Sequence, residues 1–421
     1  MTGEWLVLVE SNTTGSGRLF CSSARQLGLR PVVLARDPAR YPYVAADDID
    51  YRVTDTTSGP AVLAACHALA EAAPIAGVTS SSEYFIATAA EAARALGRPH
   101  PVPEAVRACR DKLAQRIALS QAGVPGPAFA AARTPAEAAA AAARLGYPVV
   151  VKPASGTGSI AVRLCRDQAQ VRAAAAYAYG DPDPALPPQH TVLVEEYLTG
   201  AEYSAELIDD QVVGITAKLL GGEPYFVEIG HDFPAPLGEA GTRAVGETAV
   251  AALRALGLGW GGAHVELRFS PPGPPRVVEV NPRLAGGMIP RAIQAATGID
   301  MIFHVVAAAA GRPAPLRREP GGCASIRFLV AREEGTLIEV GGVAEAQELP
   351  GVVEVGVTAP LGQPVVPRHS FRDRLGYVIA SAAGHAEAAR IAEAALALLT
   401  ARIAPAPSAP SAPAATAGHP A

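Results

Sequence analysis

"VVEVNPRLAGG", residues 277–287, starts as a strand with apolar Val277, Val278 and Val280, then sets Glu279, Asn281 and Arg283 at alternate positions before running into glycine. Side chains alternate across a strand, so Glu279 and Asn281 share one face. Pro282 biases Asn281 toward an extended backbone and preserves that parity. Upstream, "HVELRF" (264–269) carries Glu266, 13 residues before Glu279, and the turn "SPPGPP" between the two runs suits an antiparallel pair. Such a pair puts two carboxylates and an amide oxygen on one side, a hard oxygen set that suits Mg²⁺ completed by water and phosphate. Arg283 joins that side if the strand continues and could clamp an anionic oxygen bidentately. Taken alone, the stretch also reads as an ordinary strand ending in acids.

Two further stretches upstream bear on that choice. In "VVVKPASGTGS" (149–159) an apolar strand ends in Lys152 and is followed by Ser155, Gly156, Thr157, Gly158 and Ser159. Small residues there let backbone N–H groups wrap an anion beside a fixed ammonium, although a hairpin with a glycine-rich turn has the same appearance. "VLVEEYLTGAEYSAE" (192–206) ends a strand in Glu195, Glu196 and Tyr197 and places Glu202 on the next strand. An adenine edge can pair with backbone groups near 195–197, and the Glu202 carboxylate can accept both ribose hydroxyls; alone, these are solvated acids.

Lysine usage adds a clue. Of 35 basic residues only Lys112, Lys152 and Lys218 are lysine. A compact ammonium and a wide guanidinium are not interchangeable in a tight phosphate site.

The rest of the sequence sets the frame. Its 421 residues, 49% hydrophobic and 18% charged, can bury a sizeable core in two or three domains. A net charge of -5 gives no footprint for nucleic acid or an anionic membrane. No apolar run is long enough to span a bilayer, no signal-like leader is evident, and the five cysteines lack paired spacing, so a cytoplasmic protein with reduced, buried thiols is expected. Residues 1–104 alternate strand and helix patterns, the mark of a parallel α/β sheet. "NTTGSGRLF" (12–20) within it reads as a tight strand-to-helix turn or, more weakly, as a nucleotide loop; position 20 is Phe and Ala35 and Arg36 close the second strand. "RACRDKLAQRIALSQAG" (107–123) reads as one helix carrying Lys112. Residues 125–194 form an α+β unit containing a surface excursion, "GDPDPALPPQH" (180–190). The pattern turns antiparallel from Glu202, and the Pro/Ala-rich 404–421 reads as disordered.

The ordered set of a lysine with a glycine-rich loop, an acid-rich hinge and Glu…Glu-x-Asn-Pro-Arg resembles the ATP-grasp superfamily over nearly the whole chain. "FVEIGHDFPAPL" (226–237) and the C-terminal "ASIRFLVAREEGTLIEVGG" (324–342), "LPGVVEVGV" (349–357) and "DRLGYVIASA" (373–382) look like its L-amino-acid ligase and carboxylate–amine ligase branch. The resemblance implies a mixed α/β and α+β ATP-grasp fold. Its parts would be an N-terminal domain (1–104), an ATP-grasp domain (105–312) with a mobile lid (125–194), and a C-terminal ligase subdomain (313–403). It further implies ATP and Mg²⁺, with Mn²⁺ as an alternative. Lys112, Lys152 and residues 155–159 would hold phosphates, Glu195–Tyr197 the adenine and Glu202 the ribose. Lys218 would point toward the phosphates, Glu266, Glu279 and Asn281 would bind metal, and Arg283 would steady an acyl phosphate. Glu228 and His231 would meet the amino group of the first substrate, and Gly286 and Gly287 leave room for a bulky one. The implied partners are a small carboxylate and an amine, with a homodimer common among relatives. Three other readings are a bicarbonate-activating carboxylase of the same superfamily, a dinucleotide-dependent oxidoreductase built on "TTGSG", and an ATP-binding module without turnover.

Overall fold

The computed structural model of the protein describes residues 3–12, 16–180, 190–319 and 321–405. Positions 181–189 of the expected excursion, the centre of the "NTTGSG" turn and nearly all of the tail lie outside those residues. Among the described residues, strands assemble into four sheets. The first is parallel throughout, in the order Asp50–Val53, Arg30–Ala35, Trp5–Val9, Ile75–Thr79. Its central strands are apolar on both faces because helices cover both sides.

A second sheet of four antiparallel strands runs Phe129–Ala132, Val192–Glu196, Val149–Pro153, Arg163–Cys165. The helices Pro135–Leu145 and Gln168–Tyr179 pack their alanines on Val149, Val151, Val192 and Val194. Both helices start on side-chain caps: Thr134 accepts from the Glu137 N–H and Asp167 from the Gln170 N–H.

The largest sheet has eight antiparallel strands: Arg276–Asn281, Gly262–Phe269, Ala201–Ile208, Gln211–Leu220, Glu228–Phe233, Cys323–Val330, Arg374–Ala382, Val352–Val357. Helix Glu239–Ala255 covers part of one face. Helices Ile289–Thr297 and Met301–Ala309 join the sheet to the first one through a single apolar cluster. A small sheet, Pro364–Val365, Gly335–Gly341 and Thr400–Ala404, flanks the C-terminal end. The eight-stranded sheet continues across the expected boundary at 312/313. Residues beyond it therefore share backbone pairing with the preceding segment, Phe233 facing Ala324 and Gly230 facing Arg327.

Two local expectations change. Residues 107–123 are not one helix: Pro103–Cys109 ends, and Lys112–Gln121 starts anew because the Asp111 carboxylate accepts from the Leu113 and Ala114 N–H groups. The apolar run "IAVRLC" (160–165), which reads from sequence as a strand throughout, is strand only at Arg163–Cys165. All five cysteines are free and buried. No single helix among the described residues is long and apolar enough to cross a membrane.

Candidate active site

A cleft lies between the second sheet and the eight-stranded sheet. The hairpin that frames one wall has the register expected from sequence, with Glu266 directly opposite Glu279 and Asn281 opposite His264. Glu266, Glu279 and Asn281 all line the cleft. The strand stops at Asn281, and the Arg283 N–H turns back onto the Asn281 carbonyl at 2.8 Å. Arg283 thus reaches the cleft from a turn rather than from a continued strand. Its Nε donates to Glu83, at the end of the parallel sheet, at 2.6 Å.

The three lysines converge here. Lys112, at the first turn of its helix, donates from Nζ to the Gly156 carbonyl at 2.7 Å and pairs with Glu279 at 2.9 Å. Burial pulls its pKa down, but the carboxylates of Glu279, Glu83 and Glu266 together leave it raised. Lys152 lies 2.7 Å from the Glu195 carboxylate, whose other oxygen accepts from Arg116 Nε at 2.6 Å. Burial would raise the Glu195 pKa, yet these two cations hold it down to about 2. Lys152 itself is lowered, chiefly by burial, with Arg116 adding repulsion. Lys218 contacts three carboxylates: Glu228 at 2.5 Å, Glu266 at 2.7 Å and Glu202 at 3.2 Å. Those attractions overcome burial and keep it charged.

The 156–159 loop lines the cleft; Ser155, just before it, is outside the lining. Gly158 has φ +64° and Ser159 φ +60°, and the Ser159 hydroxyl donates to the Phe226 carbonyl at 2.9 Å. At the expected adenine hinge the Glu196 N–H is taken by the Ala128 carbonyl (2.8 Å) and the Tyr197 N–H by that of Pro148 (3.4 Å). The Glu196 carboxylate pairs with Arg276 at 2.6 Å. These three residues line the cleft, and so does Leu198, which follows them. Glu202 faces Lys218 on one neighbouring strand and Arg268 on the other, where the Arg268 guanidinium approaches it to 3.1 Å.

At the far end, Glu228 accepts from Arg374 at 2.6 Å as well as from Lys218; together they hold its pKa well down against burial. His231 is fully enclosed, with neither ring nitrogen hydrogen-bonded. Burial pushes its pKa down to about 3, so the ring is neutral. A Cβ on Gly287 would lie 2.8 Å from His231 Nε2, whereas one on Gly286 would meet nothing within 4 Å. None of His231, Gly286 and Gly287 lines the cleft, and room for a larger group exists at 286, not at 287.

Sequence reasoning missed four participants. Arg116, Arg268 and Arg374 line the cleft, and their carboxylate partners come from distant segments. His264 bridges Glu206 (3.0 Å) and Glu266 (3.1 Å), and these carboxylates outweigh burial to raise its pKa to about 9. Only His264 left a signal, since "HVE" puts it on the same face as Glu266.

No group of three or more His, Cys, Asp or Glu side chains able to hold a metal occurs among the described residues. Two carboxylates and one amide oxygen are nonetheless a fitting partial set for a hard divalent cation that takes phosphate and water as its other ligands. Lys218 and Lys112, paired with Glu266 and Glu279, show that these carboxylates already attract positive charge.

Comparison with known proteins supplies the family. Residues 145–291 match the ATP-grasp domain, 21–100 the ATP-grasp N-terminal domain, and 327–404 the L-amino acid ligase C-terminal domain 2. The chain belongs to the ATP-grasp superfamily. The uncharacterized protein y4rH of Sinorhizobium fredii is 39% identical over 391 residues, covering 93% of this chain and 81% of that protein. Alanine--anticapsin ligase of Bacillus amyloliquefaciens is 28% identical over 245 residues, 53% of this chain and 52% of its own length. The crystal structure of an L-amino acid ligase from Bacillus licheniformis superposes with a TM-score of 0.79 at 22% identity, over 96% of this chain and all of that one, and so shares its fold. This ATP-grasp protein is a ligase that forms carbon–nitrogen bonds, with the C-terminal section of the L-amino acid ligases.

Proposed function

We propose that the enzyme activates the carboxylate of a small substrate, an amino acid, as an acyl phosphate and joins it to the amine of a second, releasing ADP and phosphate. The observation that carries this reading is the face-to-face placement of Glu266 and Glu279 within reach of Lys218 and Lys112 in one cleft. Phosphoryl transfer needs positioned charge more than covalent help from the protein. In this reading Lys112 and Lys152 hold phosphate oxygens and the 155–159 loop covers them. Residues 195–198 meet the adenine and Glu202 the ribose. Glu266, Glu279 and Asn281 would hold Mg²⁺, or Mn²⁺ in its place, which when bound supplies charge neutralisation and orientation of the phosphates. Arg283, steadied by Glu83, stabilises the acyl phosphate as the amine attacks. Glu228, which lines the cleft, receives the amino group of the first substrate, and the enclosed, neutral His231 backs its carboxylate from 3.7 Å. Residues 125–194 act as the lid, the enzyme works in the cytoplasm, and homodimers are the assembly we favour.

The test is incubation with Mg²⁺-ATP and a panel of amino-acid pairs. Pair-dependent ADP and phosphate together with a dipeptide are expected. AMP and pyrophosphate as products would exclude the acyl-phosphate route, and turnover with bicarbonate alone would transfer the enzyme to the carboxylase reading.

A further inference from the structure

The short turn Phe371–Asp373 belongs to the C-terminal part of the chain, yet Phe371 packs against the apolar core of the second sheet and lines the cleft. Its N–H donates to the Gly158 carbonyl at 3.3 Å. Its ring fills the space where a side chain at 158 would begin: a Cβ there would sit 2.0 Å from Phe371 Cδ1. The turn is well fixed. Ser370 and Asp373 are buried, and the Asp373 carboxylate accepts from the N–H groups of Arg368 (2.9 Å) and Ser370 (3.1 Å). Ala331 ties it to the large sheet through a 2.7 Å bond to the Asp373 carbonyl. The next residue, Arg374, holds both the side chain and the carbonyl of Glu228. One anchored segment thus touches the loop at one end of the cleft and the acidic cluster at the other.

We propose that Phe371 is a positioning residue that clamps Gly158, and with it the 155–159 loop, over the phosphates and excludes water from the acyl phosphate. This role rests on the reaction proposed above. Without the ring, water adds to the acyl carbon and the bond from that carbon to the bridging phosphate oxygen breaks. Carboxylate, inorganic phosphate and a proton are left, so ATP is consumed without an amide.

The experiment uses the full chain with Phe371→Ala and Phe371→Leu, reading ADP released per amide formed and the affinity for a fluorescent ATP analogue without amino acids. Alanine is expected to raise the ADP-to-amide ratio and weaken nucleotide binding several-fold, and leucine to restore most of both. A second pair, Gly158→Ala in the parent and in the Phe371→Ala background, isolates the contact. The glycine substitution should harm nucleotide binding less where the ring is already gone. An unchanged ratio with equal loss of both products, or equal losses from Gly158→Ala in both backgrounds, would reduce Phe371 to a packing residue. If the parent releases no ADP with any substrate pair, the proposed reaction fails. Nucleotide affinity then still decides on Phe371, and an unchanged value for Phe371→Ala overturns the clamp.

Discussion

Glu279 has a direct partner in Lys112 and a cross-strand neighbour in Glu266, so its charge bears on both sides of the cleft. Glu279→Gln keeps the volume and removes the charge. Turnover should fall by at least two orders of magnitude, in line with the loss of a positioned charge at a phosphoryl-transfer site, while the circular dichroism spectrum stays that of the parent. Retained activity would remove Glu279 from the site. Glu195 governs a different property. Its folded pKa of about 2 lies below the usual carboxylate value, so its stabilisation is complete above roughly pH 4.5 and is lost as pH falls toward 2. The shift corresponds to on the order of 3 kcal/mol. Urea titrations between pH 6 and pH 3 should show a shallower acid limb in Glu195→Gln than in the parent. Glu266, Glu279 and Asn281 were legible because one hairpin carries them all and strand parity is a local property. Arg116, Arg268 and Arg374 were not, because nothing in a linear sequence says which distant carboxylate an arginine meets.

At the scale of elements, antiparallel pairing was readable where a short turn joined two alternating runs, as at "SPPGPP" between Gly262–Phe269 and Arg276–Asn281. Helix boundaries were less so. Asp111 looks like any charged helical residue, and only its side-chain bonds reveal that it ends one helix and starts another. Because that cap also fixes where Lys112 enters the cleft, Asp111→Ala should cost about 1 kcal/mol in denaturant titrations. It should also raise the KM for ATP more than it lowers kcat. A loss of stability with an unchanged KM would separate the cap from the placement of Lys112.

Across the whole molecule, the parallel N-terminal sheet and the separate α+β unit were visible from alternating patterns of strand and helix. The single eight-stranded sheet was not. Its middle pairs Glu228–Phe233 with Cys323–Val330 across nearly a hundred residues, and pairing at that distance leaves no periodic trace. If residues 125–194 close over nucleotide, Mg²⁺-ATP should slow amide hydrogen exchange in that unit and in 155–159 most of all, and leave the first sheet unchanged. Uniform protection over the chain would instead indicate general stabilisation by ligand. The shared sheet also limits how this enzyme can be recombined with its relatives. A hybrid that takes its C-terminal quarter from another ligase must match strand Cys323–Val330 to a foreign neighbour at every pair from Gly230–Arg327 to Phe233–Ala324. It must also supply an arginine where Arg374 meets Glu228. Crossovers in the loop before Phe129 or after Glu196 cut fewer such pairings, so the second sheet with its two helices should be the more exchangeable part.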